Sequence, residues 1–126
     1  MNIWIALDEV TPDMGSMRFY SGSHRLGPLG RVWPEGKKLL DVYPDIPKEL
    51  TLSPELYLMP GDATMHHSLC IHGAPANSTD RPRWAYILQL FPADAVFTET
   101  VLPFVARLGL QTDKPFDYPR FPQVYP

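Results

Sequence analysis

Fifteen prolines and eight glycines are spread through the 126 residues of this chain. Each proline fixes φ and removes a backbone donor, so long helices are excluded and short strands joined by frequent turns are favoured. The chain therefore reads as all-β. Its 44% hydrophobic and 20% charged residues are ordinary for a folded domain. At this length a domain buries roughly two-thirds of its unfolded surface, enough for one modest core without disulfide or metal staples.

The formal charge is −3 and the eleven basic residues are scattered, so there is no footprint for nucleic acid or an anionic membrane. The expected partner is a small-molecule substrate. The single cysteine, Cys70, has no internal partner, and no charged segment followed by an apolar one comes after Met1. A reducing, cytoplasmic location follows as the expectation. Asn77-Ser78-Thr79 fits the glycosylation pattern but lacks a secretory signal, and it is read as unused. No apolar run is long enough for a membrane helix, and no internal repeat is present.

Ile3-Trp4-Ile5-Ala6-Leu7, within 2–8, has the length and composition of a buried strand. The Thr11–Gly15 segment is turn chemistry and leads to a second short strand, Met17–Tyr20, expected to pair with the first as a hairpin. The stretch 21–45 is polar and broken by glycine and proline, too irregular for a regular element. One helical turn is expected within 47–55, then a strand Leu56–Met59 stopped by Pro60-Gly61-Asp62. Strands over 63–71 and 83–91 follow, expected to pair as a hairpin, with a short helix over 99–108 and an extended, docked proline-rich tail carrying aromatics at 116, 118, 121 and 125.

His66, His67 and His72 form the densest group of potential ligands. On one continuous strand, His66 and His72 lie about 20 Å apart at ~3.3 Å per residue, and His66 and His67 point to opposite faces. This geometry argues against a small cupin-like metal site built from the three. Zinc spacings, the nucleophile elbow and phosphate-cradling glycine loops are absent.

The string Trp4-Ile5-Ala6-Leu7-Asp8-Glu9, then Gly15-Ser16-Met17 and Gly22-Ser23-His24-Arg25, resembles the middle of the phytanoyl-CoA dioxygenase family of non-haem iron, 2-oxoglutarate-dependent oxygenases. Pro60-Gly61-Asp62, Ile71-His72-Gly73, Asn77, Arg83 and Pro119-Arg120-Phe121-Pro122 continue the likeness in order. The resemblance implies part of a double-stranded β-helix, or jelly roll, specifically its C-terminal half, with residues 1–97 as the oxygenase-like domain and 98–126 as the short helix and docked tail. It implies the cofactors Fe(II) and 2-oxoglutarate. His72 would be the distal histidine of a 2-His-1-carboxylate triad. Arg83 would hold the far carboxylate of 2-oxoglutarate as a bidentate pair that lysine cannot reproduce, and Trp4 would line the cosubstrate pocket. Arg81 is a nearby decoy on the same strand parity. His24 is read as bracing its own turn, His66 and His67 as packing or pocket-lining residues, and Cys70 as a small core hydrophobe.

The family's first histidine and carboxylate come as a His-x-Asp or His-x-Glu pair, and none of the four histidines here has an acid at +2. Ala74 stands where the family often has a serine. The chain is therefore expected to be truncated and inactive alone, lacking two metal ligands and the partner strands of the jelly roll. Its open sheet edges invite a missing N-terminal half or self-association. The rival expectation is a non-catalytic relic or short isoform that binds a carboxylate or a partner chain. Lys37 and Lys38 are read as a solvated loop rather than as a coenzyme A site.

Overall fold

The computed structural model describes residues 1–29, 38–98, 105 and 107–124. They fall into two compact units, Met1–Gln89 and Leu90–Pro126. The first contains five short strands, β1 (Asn2–Ala6), β2 (Arg18–Phe19), β3 (Ala63–His66), β4 (His72–Gly73) and β5 (Ala85–Gln89), and two single-turn helices, α1 (Leu39–Val42) and α2 (Ile46–Glu49). The all-β reading holds.

β1 is the centre of a three-stranded antiparallel sheet of order β3-β1-β5. Its register places Trp4 opposite Thr64 on one side and Ile87 on the other, with Asn2 opposite His66 and Gln89. Side chains alternate across a strand, so Trp4 and Ala6 share one face, and both are buried. They form the core with Val10 and Leu58, against which Met17, Leu56 and Ala85 pack.

Both expected hairpins are absent, for one reason. β1 separates β3 from β5, and with both its edges occupied β2 pairs instead with β4, Phe19 opposite His72. A 3₁₀ turn at Pro12–Met14, closed by Gly15 in the left-handed region, carries the chain from β1 to this second sheet. The expected strand 63–71 ends at His66 because Cys70 N donates to the His67 carbonyl at 2.9 Å and reverses the chain. Leu56–Met59 is not a strand; only Leu58 bridges, to Val10. The stretch 21–45 is less irregular than expected, holding a 3₁₀ turn at Ser23–Leu26 and the helix α1. The expected turn in 47–55 is α2, which starts at Ile46 with Pro47 in its first turn, where a missing N–H costs nothing.

In the second unit Phe116 meets Phe97 and Phe121 edge to face, and Phe91 lies tilted against Phe116 with centroids 4.7 Å apart. The helix expected over 99–108 falls largely outside the described residues, as do Lys37 and Tyr125. Among the described residues no helix is long and apolar enough to cross a membrane.

Candidate functional site

Arg83 enters the site from the loop before β5. Its guanidinium carbon stands 5.8 Å from the Trp4 ring centroid, a cation–π distance, and Nη1 donates to the Gly15 carbonyl. Gly15 is required there: its φ is +74°, and a Cβ would lie 2.3 Å from the Pro75 carbonyl oxygen. The loop that follows β4 is thus pressed against the residue that holds Arg83. The decoy arginine goes elsewhere, since Arg81 pairs with Glu9 at 3.3 Å and Asp8 at 3.8 Å on the surface. Asn77 serves the same loop, its Oδ1 accepting from Thr79 N and its Nδ2 donating to the Arg81 carbonyl.

His72 lies on β4. Its Nδ1 is 2.8 Å from the Cys70 carbonyl, which only accepts, so Nδ1 carries the proton and Nε2 is left with its lone pair. Backbone bonds fix this position: Ile71 N donates to Ser23 Oγ at 2.7 Å, and Tyr20 N donates to the Ile71 carbonyl.

The reversal at residues 67–70 brings His66 beside His72, with ring centroids 4.4 Å apart and a tilt of 51°. The separation of about 20 Å expected for a continuous strand is overturned, because the strand is not continuous. Phe19 packs against both rings, at 5.1 and 6.1 Å. His66 Nδ1 is buried without a hydrogen-bond partner, as is Thr64 Oγ1, while Nε2 lies 3.5 Å from Asn2 Nδ2. Burial holds the His66 pKa below its ordinary value, helped by the nearby charges of His72 and the chain's amino terminus. His24 and His67 form a second ring pair at 5.5 Å. Together with Phe19, Thr64 and Cys70, the residues His24, His66 and His67 line a cavity of about 500 Å³. No third His, Cys, Asp or Glu joins any two to form a metal-holding group among the described residues.

Two serines of the recognised strings prove structural. Ser16 and Ser23 are fully buried, and each hydroxyl accepts a backbone N–H from a distant segment, Leu56 and Ile71 respectively. The proximity of His66 to His72 is the feature that sequence reasoning missed. Nothing between them is glycine or proline, and Ser68 is the sole turn-favouring residue that signals the reversal.

The family model for phytanoyl-CoA dioxygenase (PhyH) matches residues 1–85. Among solved structures, the chain is similar to the non-heme alpha ketoglutarate dependent carbocyclase SnoK from nogalamycin biosynthesis, at 30% identity and TM-score 0.75 over 93% of this chain and 45% of that one. It is also similar to the epimerase SnoN, at 28% identity and TM-score 0.65 over 96% of this chain and 46% of that one. A second SnoN structure, in complex with Fe3+, alpha ketoglutarate and nogalamycin RO, matches at 29% identity and TM-score 0.66, over 96% and 48%. The chain therefore spans a little under half the length of these structures. No curated protein matches it. The match over most of the chain, and the shared fold at this identity, establish that the chain belongs to the phytanoyl-CoA dioxygenase family.

Proposed function

We propose that this chain forms part of a non-haem Fe(II)/2-oxoglutarate-dependent dioxygenase, a hydroxylase of a small organic substrate, and contributes His72 as a metal ligand and Arg83 as the 2-oxoglutarate anchor. The observation that carries this reading is the contrast between the two arginines. Arg81 is neutralised by Asp8 and Glu9, whereas Arg83 meets an indole face and one carbonyl, leaving guanidinium donors for a ligand carboxylate. Trp4, 7% exposed, shields one face of that pair from water and so strengthens it.

Bound iron supplies the coupling of 2-oxo acid decarboxylation to substrate oxidation. His72 fits it in part, because the Cys70 carbonyl holds its proton on Nδ1 and leaves Nε2 as the ligand atom. A complete triad does not gather among the described residues. On this reading a histidine and a carboxylate come from residues outside this sequence, and the chain alone does not turn over. A relative-sized partner segment is consistent with the span of SnoK and SnoN left unmatched.

Calorimetric titration with 2-oxoglutarate tests the reading. Binding is expected to fall at least tenfold in Arg83→Lys and to stay unchanged in Arg81→Lys, with no succinate formed by the isolated chain given Fe(II) and ascorbate. Equal losses in both variants, or none, remove Arg83 from the site.

One observation favours a second reading, a non-catalytic module that binds a partner chain. Among the described residues β5 pairs on one side alone, and Trp84, Tyr86 and Ile87 on or beside it are more than half exposed, a combination that edge strands usually avoid. If adding a segment that supplies a histidine and a carboxylate yields a stable complex but no succinate, this second reading replaces the first.

A further inference from the structure

Asn77-Ser78-Thr79 matches a glycosylation pattern, yet Asn77 Nδ2, the atom that would carry a glycan, donates to the Arg81 carbonyl at 2.7 Å. We propose that Asn77 and Ser78 are positioning residues for Arg83, fixing together the backbone that delivers its guanidinium and the carbonyl that receives it. The inference rests on the reading of Arg83 as the 2-oxoglutarate anchor and names the support that this anchor needs.

Packing surrounds the guanidinium, while hydrogen bonds hold the chain that leads to it. Asn77 Oδ1 accepts from Thr79 N at 2.9 Å and from Thr79 Oγ1 at 2.7 Å. Thr79 Oγ1 in turn accepts from Arg81 N at 3.2 Å. The Arg81 main chain is thus held on both sides, its carbonyl by Asn77 and its N–H by Thr79, in the way that asparagine and threonine shape segments outside a strand ladder. Pro82, whose ring fixes φ, is the one residue between that held peptide and Arg83.

Ser78 ties this knot to the other end of the Arg83 side chain. Its N–H and its hydroxyl both donate to the Asp13 carbonyl, each at 2.9 Å. Asp13 lies in the 3₁₀ turn Pro12–Met14 that Gly15 closes, with Gly15 N donating to the Pro12 carbonyl at 3.0 Å. The bolted carbonyl therefore stands two residues before the one that accepts from Arg83 Nη1, within a single hydrogen-bonded turn. A guanidinium fixed at both ends gives up less freedom on meeting a carboxylate, so its ligand is held more tightly. The same knot leaves Arg81 on the surface with Asp8 and Glu9, and so sorts the two arginines.

Titrate 2-oxoglutarate into the chain and into Asn77→Ala, Ser78→Ala and Ser78→Thr, and record the Arg83 side-chain proton shifts, which the Trp4 ring current displaces across the 5.8 Å contact. Affinity is expected to fall about fivefold in Asn77→Ala and about threefold in Ser78→Ala. Ser78→Thr, which keeps the hydroxyl, is expected to restore it. In both alanine variants the Arg83 shifts are expected to move toward those of free arginine. In an Arg83→Lys background Asn77→Ala is expected to add no further loss, because the group it positions is gone. An undiminished further loss there makes Asn77 a general stability residue and overturns the inference, while leaving Arg83 as the anchor. Unchanged Arg83 shifts in Asn77→Ala overturn it as well. No binding by the unmodified chain overturns the reading of Arg83 and the inference with it. Ser78→Ala retains the backbone bond to Asp13, so it carries the test if Asn77→Ala does not fold.

Discussion

Around Arg83 an indole ring, a glycine carbonyl and a loop pressed onto that glycine close in from several sides. His72 instead sits at the start of a two-residue strand with its ring toward another imidazole. The first corner is made of packing, and its anchor residue Trp4 belongs to the core. The second is made of hydrogen bonds to backbone, through Ser23, Cys70 and Tyr20. On the proposed reading, an anion site built on core residues would be preorganised by folding itself, while a metal site built on a short strand would depend on whatever else ligates the ion.

The largest break in that comparison is expected from Gly15→Ala. A left-handed residue with a Cβ costs ~1–2 kcal/mol, and the overlap with the Pro75 carbonyl adds roughly 1–3 kcal/mol of overpacking. Urea denaturation should show a loss of about 2–5 kcal/mol. In protein that remains folded, 2-oxoglutarate affinity should fall with it, because the carbonyl that receives Arg83 moves. Full stability in this variant is incompatible with the contact between Gly15 and the loop after β4.

Ser23→Ala strikes the other corner. It leaves the buried Ile71 N–H without its acceptor, at ~1–3 kcal/mol, one residue before His72. Metal affinity should drop while 2-oxoglutarate affinity does not, and the split between the two titrations is the readout. A parallel loss in both ligands means that the corners are one cooperative unit. Ser16→Ala removes the acceptor of Leu56 N instead, and it controls for the general effect of a lost buried hydroxyl.

What the sequence made legible follows the same division. The two longest apolar runs were readable as strands, β1 and the segment leading into β5, whereas the roles expected of Trp4 and Arg83 came from the resemblance alone. The pairing of these strands was not readable. Nothing local tells a strand that a third one, first in the chain, will insert between it and its sequence neighbour. His66 and His72 were misjudged because a seven-residue apolar-and-histidine stretch looks like one strand; its reversal rests on a single backbone bond between positions bearing neither glycine nor proline. Ser16 and Ser23 stood in recognised strings, yet their role as acceptors for distant N–H groups exists only once the chain is folded.

The smallest expected effect concerns the surface decoy and sharpens the contrast between the two arginines. Glu9 accepts from Tyr57 and from Arg81, and these bonds, Tyr57's first, hold its carboxyl below the ordinary value of 4.5. The same bond to Glu9 holds the Tyr57 hydroxyl above its ordinary 10.0. A lowered carboxyl contributes stability that is fully present above the unfolded value and is lost as pH falls from about 4.5 through the folded one. A raised phenol contributes stability that is present below 10.0 and is lost as pH rises from there. Tyr57→Phe should therefore flatten both limbs of the stability profile slightly, and Arg81→Gln mainly the acid limb. Because these groups are solvent-facing, both changes should shrink further in high salt. Neither should move 2-oxoglutarate affinity near neutral pH, where Arg83 alone is the expected anchor, so an acid-limb change that tracked ligand binding would make Arg81 the anchor instead.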